Sequence, residues 1–195
     1  MPLLLHRNPI PGVNLRTDRE RSGRSLDPAE ELPAAAGTMK LDLGACGRKV
    51  PGFRSVDVFP PADIVMDLSR PWAGIKDSSV EEIRAAHIIE HLPDRILTMN
   101  EIHRVLVPGG RAVIDVPDAS RGAGFHQDPT HVSQWCMNSF LYFDPQEPQW
   151  QRFHEPYGIT AKLRVVEWSE REEGRSIHKY QHVWVLHVVL EAVKP

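Results

Sequence analysis

Lys40-Leu41-Asp42-Leu43-Gly44-Ala45-Cys46-Gly47 is the stretch on which the fold turns. It reads as a short apolar strand running straight into a glycine turn, the opening of an α/β unit. Working outward, Ser55–Val58 predicts a second strand, Asp63–Leu68 a third and Val80–Ala86 a fourth. Pro93–Leu106 predicts a helix, because Ile96, Leu97, Ile102, Val105 and Leu106 share one face, and Pro108-Gly109-Gly110 stops it. Arg111–Val116 predicts a fifth strand. Residues 119–161 read as irregular and aromatic, and Lys162–Trp168 and His182–Val193 as two long closing strands. Strands alternating with helices or turns predict an α/β, doubly wound, three-layer fold with a mostly parallel sheet. Because the closing strands lie close together in sequence, one of them is expected to be antiparallel at the sheet edge. Only eleven residues, 44–54, separate the first two strands, which predicts a reduced first helix.

The composition bounds the function. The chain has 195 residues, is 41% apolar and 25% charged, and carries a net charge of −3. That is an ordinary globular balance, and it disfavours a dedicated nucleic-acid clamp, which would be basic. Two cysteines, Cys46 and Cys136, exclude a disulfide framework or a cysteine-only zinc site and suit a reducing cytoplasm. No apolar run approaches the roughly 18 residues of a membrane span. Residues 1–38 stand apart: they hold five of the 17 prolines, no aromatic residue, and five arginines against five acids. They read as a disordered leader preceding a domain at 39–195, with Met39 as an alternative start.

Beyond the carboxyl ends of parallel strands lies the ligand site of such a sheet. Gly44–Gly47 follow the first strand, Asp57 ends the second, Asp67 ends the third and His87 follows the fourth. A carboxylate at the end of the second strand can hold both ribose hydroxyls. A dinucleotide fingerprint would need glycine at 44, 46 and 49, yet 46 is Cys and 49 is Lys, which disfavours a nicotinamide-dependent reductase. No P-loop follows the turn, and the short crossover leaves little room for a helix to hold a pyrophosphate. A nucleoside ligand without phosphate fits better. Either acid, taken alone, reads equally well as a turn cap.

The ordered series "KLDLGACG" (40–47), "VPGFRSVDV" (50–58), "ADIVMDLS" (62–69), "SVEEIRAAHIIEHLPD" (79–94), "MNEIHRVLVPGGRAVIDVPD" (99–118) and "QDPTH" (127–131) resembles class I S-adenosylmethionine-dependent methyltransferases of the type 11-like, small bacterial and phage branch. The resemblance implies a Rossmann-like fold and S-adenosyl-L-methionine as cofactor. It makes Gly44, Ala45, Cys46 and Gly47 the cofactor turn, with Asp42 orienting it near the methionine amine. It also gives Asp57 the ribose, Asp67 and Leu68 the adenine, and Ala86 and His87 the methionine end. One departure stands out. The usual Gly-x-Gly is here Gly-Ala-Cys-Gly, so either one residue is inserted or Cys46 replaces a glycine.

Residues 119–161 hold eight of the fourteen aromatics and are expected to cap the methyl end, with Asp118, Phe125, Trp135 and Tyr142 facing an acceptor. Within them, His131, His126 and Asp128 are the candidate catalytic residues: a histidine as base, with the aspartate orienting it. His87-x-x-Glu90-His91 spells an inverted zinc-protease motif. Because His87 ends a predicted strand and His91 begins the next helix, no metal site is expected from it. The sequence thus reads as a methyltransferase acting in line on a small or medium acceptor, as a monomer or homodimer. The alternative is a non-catalytic module of the same fold that binds S-adenosylmethionine or S-adenosylhomocysteine.

Overall fold

The computed structural model describes residues 38–121, 124–175 and 182–195. The expected leader therefore lies outside the described residues, except for Thr38. Seven strands form one sheet: β1 (Met39–Leu43), β2 (Arg54–Asp57), β3 (Ile64–Val65), β4 (Val80–Ala86), β5 (Leu106–Pro117), β6 (Leu163–Arg175) and β7 (His182–Ala192). Their order is β3-β2-β1-β4-β5-β7-β6. The first five pair in parallel, while β7 runs antiparallel to both β5 and β6. The mostly parallel α/β sheet predicted from the alternation is the one observed, and its antiparallel strand pair closes one edge. Strand order reverses at β1, which lies between β2 and β4. That reversal is the switch point at which such sheets bind ligands.

Leu41, Leu43, Val56, Ile83, Ala85, Ala112, Ile114 and Val116 are buried along the central strands. They recur at every second position and align across the strands, so one face of the sheet carries this part of the core. Helix α1 (Arg95–Val105) connects β4 to β5. It begins where the Asp94 side chain accepts the Ile96 and Leu97 amides at 3.0 and 2.9 Å, a side-chain cap. The expected stop at Pro108-Gly109-Gly110 is instead part of β5. The chain leaves α1 at Leu106 and enters the strand directly. Leu106 pairs with Val80 and Arg111 with Glu82, so residues 107–110 bulge out, with Gly109 at φ 72°.

The connections from β1 to β2 and from β3 to β4 contain no helix among the described residues, so the reduced first helix is in fact a turn. Side chains hold these connections in place of packed helices. Asp63 accepts the Ser55 amide and hydroxyl at 2.9 and 2.8 Å. Trp72, fully buried in the long connection, gives its amide to Glu101 Oε2 at 2.7 Å. Arg104 binds Glu101, and it also donates to the Trp72 and Ile75 carbonyls at 3.0 and 2.9 Å. Two short helices, α2 (Met137–Leu141) and α3 (Pro148–Tyr157), lie in the segment between β5 and β6. No described helix is long and apolar enough to cross a membrane.

Burial pushes the Glu101 carboxyl up, but Arg104 and the Trp72 amide outweigh it and hold its pKa below the ordinary 4.5. A depressed folded-state pKa contributes stability above the unfolded value, and that contribution is lost as pH falls through the folded one. Glu101→Ala should therefore lower the unfolding free energy near neutral pH by about 1.5–3 kcal/mol. In urea titrations, the gap from the parent should narrow as the pH drops below 4.5.

Candidate active site

The turn after β1 is built from left-handed backbone: Gly44 at φ 64°, Cys46 at 47° and Gly47 at 74°. Cys46 thus holds a conformation that a glycine would take more easily. Gly44 is required twice over, since a Cβ there would lie 2.7 Å from Ile88. Ala45 is buried and Cys46 exposed. The Cys46 amide donates to Asp57 Oδ2 at 2.8 Å, and the Phe59 amide to Oδ1 at 3.2 Å. Asp57 therefore closes the glycine turn from the end of β2, where the ribose carboxylate was expected.

The other expected cofactor residues divide. Asp42 is 2% exposed, and its recorded partner is Arg84 on β4, at 2.6 Å, rather than the turn. Asp67 accepts the Ser69 hydroxyl and amide at 2.5 and 2.9 Å, and these bonds depress its pKa. That is the turn-capping role open to it from sequence. The carbonyl of buried Leu68 accepts the Trp72 indole N–H at 3.2 Å. Ala86 ends β4 and His87 follows it at φ 54°. The His87 amide donates to the Asp115 carbonyl at 2.9 Å. Its ring lies between Glu90 (Nδ1 to Oε1, 3.4 Å) and Glu173 on β6 (Nε2 to Oε2, 3.2 Å). Glu90, partly opposed by burial, raises the pKa of His87, and Glu173 adds to the rise.

The aromatic segment does not act as one cap. Its first part reaches the strand ends: buried Phe125 packs against His131, with ring centres 5.1 Å apart. His131 Nδ1 meets the Phe125 carbonyl at 2.7 Å, while Nε2 lies 3.9 Å from Glu90 Oε1. Asp128 does not hydrogen-bond His131, its carboxylate lying 4.0 Å from Nε2. It accepts the Thr130 amide and hydroxyl instead, at 2.8 and 2.6 Å. His126 is exposed and stands edge-on to Phe125. Of the three catalytic candidates, His131 is the one the fold turns toward the carboxyl end of β4.

The second part of the segment packs beside α1. Trp135 and Tyr142 line a cavity of about 420 Å³ with Arg95, Phe143, Tyr157 and Ile159. Asp118 is 2% exposed and caps its own turn through Ser120. Of the four expected acceptor residues, Trp135 and Tyr142 thus share this cavity, while Phe125 packs against His131 and Asp118 caps its own turn. Arg84, Glu173 and Ile88 shape the site without having been singled out, and so does Glu90. Glu90 lay within the quoted histidine motif, but its burial depends on Val132 and Ser133, whose amides bond to its carbonyl at 2.9 and 3.0 Å.

Comparison with known proteins agrees with this geometry. The family profile described as a methyltransferase domain matches residues 56–114. A search of curated proteins finds no match. Among solved structures, a SAM-dependent methyltransferase from Methanosarcina mazei superposes with TM-score 0.53 at 12% identity, covering 83% of this chain and 95% of its own. The N-methyltransferase NodS from Bradyrhizobium japonicum gives TM-score 0.51 at 15% identity, covering 80% of this chain and 86% of its own. The cyclase SpnF gives TM-score 0.52 at 12% identity, covering 82% of this chain and 76% of its own. The fold is that of S-adenosylmethionine-dependent methyltransferases, and residues 56–114 match the profile of a methyltransferase domain. S-adenosylmethionine is the cofactor this class implies. The residues fit it: Gly47 has no atom within 4 Å of where a Cβ would sit, leaving the turn open beside the Asp57 carboxylate.

Gly44→Ala should lower stability by about 1–3 kcal/mol through left-handed strain and the Ile88 clash. Adding Ile88→Ala should recover the clash portion only. Thermal unfolding of the single and double variants measures the coupling; purely additive losses would count against the contact.

Proposed function

We propose that the chain transfers the methyl group of S-adenosylmethionine to a small or medium acceptor by in-line displacement. The observation that carries this reading is the convergence of three features at the carboxyl ends of adjacent β2, β1 and β4. These are Asp57, the left-handed turn it closes, and the His87–Glu90–His131 group. When bound, the cofactor supplies an electrophilic methyl on sulfonium sulfur. The work of the protein is alignment and exclusion of water. Gly44–Gly47 let the backbone approach the ligand closely, and Asp57 keeps acceptor capacity for ribose hydroxyls beyond its two amide bonds. Asp67 and Leu68 frame the base, with Asp42 below the turn and Ala86 and His87 at the methionine end. His131, with Nδ1 tied to a carbonyl and Nε2 free toward Glu90, is the residue we assign to activating the acceptor. Acceptor contacts come from Phe125 near the strand ends and from Trp135 and Tyr142 in the cavity beside α1. We place the activity in the cytoplasm, with the protein as monomer or homodimer.

A second reading, a non-catalytic module binding the same ligand, draws on the positions of His126 and Asp128. His126 is exposed beside Phe125, and the Asp128 carboxylate is engaged by Thr130 rather than hydrogen-bonded to a histidine. Titration calorimetry separates the possibilities. S-adenosylhomocysteine should bind while NAD does not. Asp57→Ala should weaken that binding by about 1–3 kcal/mol, the loss of charge-assisted hydrogen bonds. Undiminished affinity would remove Asp57 from the ribose. His131→Ala should keep the affinity and lower methyl transfer in an acceptor screen with labelled cofactor. Turnover equal to the parent's would exclude it from the mechanism.

A further inference from the structure

The Glu90 carboxylate is fully buried, and neither of its oxygens has a hydrogen-bond partner among the described residues. An orphaned buried carboxylate is costly, and native structures rarely keep one without a reason. His87 Nδ1 lies 3.4 Å from Oε1, within ion-pair range but not placed to hydrogen-bond it. On the other side, one ligand-capable atom from each of Glu90, His91 and His131 lies within 4.8 Å of the others.

The two histidines are prepared alike. His131 Nδ1 meets the Phe125 carbonyl at 2.7 Å, and His91 Nδ1 meets the Thr130 carbonyl at 3.3 Å. A carbonyl only accepts, so Nδ1 carries the proton in both rings and each Nε2 keeps its lone pair. The Thr130 hydroxyl donates to Asp128 at 2.6 Å, which leaves it to accept from His91 Nδ1 at 3.0 Å. Asp128 is thus a positioning residue, acting on His91 through Thr130. An imidazole whose far nitrogen is anchored to a carbonyl is the usual outer shell of a metal ligand.

We propose that Glu90, His91 and His131 bind one divalent transition-metal ion of the zinc class. Two imidazole nitrogens and a carboxylate suit such an ion better than a hard, all-oxygen cation. Metal–nitrogen and metal–oxygen bonds of about 2.0–2.2 Å meeting at a tetrahedral angle place two such ligands roughly 3.4 Å apart. His131 Nε2 and Glu90 Oε1 stand at 3.9 Å, so a side-chain shift of about half an ångström would bring them onto one ion. The ion would tie the turn after β4, which carries Glu90 and His91, to the loop after β5, which carries His131. Three protein ligands leave a position open. With Nε2 on the ion, His131 would activate an acceptor through that open position and not as a free base; this use rests on the methyl-transfer reading, whereas the site itself rests on its donors alone.

The test uses the full chain, stripped with chelator and titrated calorimetrically with Zn²⁺. One equivalent should bind. Glu90→Gln and His131→Ala, with folding verified by circular dichroism, should each weaken binding by at least roughly tenfold. His154→Ala, on α3, should not. In the parent chain, bound Zn²⁺ should protect His91 and His131 from diethylpyrocarbonate, read by peptide mass, so the test stands even if a variant fails to fold. Absence of stoichiometric binding overturns the proposal. So does binding that survives both folded variants, or modification of either histidine at the metal-free rate. Because the readout is the metal, failure of S-adenosylhomocysteine to bind would leave this site standing, and the converse holds.

Discussion

Asp42 and Arg84 form the contact on which the arrangement of the site depends. They sit opposite each other on β1 and β4, with a carboxylate 2% exposed and 2.6 Å from the guanidinium. A buried carboxylate is tolerated only when paired, so the pair holds β1 and β4 in one register at the sheet's switch point. That register sets the glycine turn after β1 beside His87 after β4. It also brings Gly44 so close to Ile88 that no side chain fits between them. The turn, Asp57 and the histidine group are therefore neighbours because the strands beneath them cannot slide.

A second consequence concerns what replaces helices. With no helix in the first and third connections among the described residues, the fold relies on side chains that reach into loops. Asp63 holds the strand end at Ser55, and Glu101 with Arg104 holds the chain around buried Trp72. These are polar anchors on apolar plugs. They show how the described residues close their core with few helices. The aromatic segment follows the same economy. One part supplies Phe125 and His131 to the strand ends, and the other packs along α1 and lines the cavity there.

Much of this was legible in the residues. Strand β4 is as read, and α1 and β7 differ from their predicted limits by no more than two residues, because apolar periodicity and the Asp94 cap are local signals. β3 is only two residues long, and β5 starts five residues earlier than predicted. Pairing with neighbours, not composition, sets those limits. In the site, Asp57 beside the turn was readable from its place at a strand end. The dual character of Asp67 was readable only as two alternatives, and its carboxylate accepts the Ser69 amide and hydroxyl as a turn cap does. His131 could be named as a polar candidate, but its expected partner Asp128 proved to serve Thr130.

What the amino-acid sequence determined by itself is the order of strands and turns, the glycine turn and the acids that follow it, and hence the class of fold and cofactor. Each is carried by residues near one another in the chain, where backbone preference and hydrophobic period act. What only the tertiary structure decided is which distant groups meet. Arg84 reaches Asp42, Glu173 reaches His87, and His131 comes within 3.9 Å of a fully buried Glu90 carboxylate. The reason is physical: the burial of a charge and the direction of a ring nitrogen are set by neighbours from other elements, so no reading of local pattern could assign them.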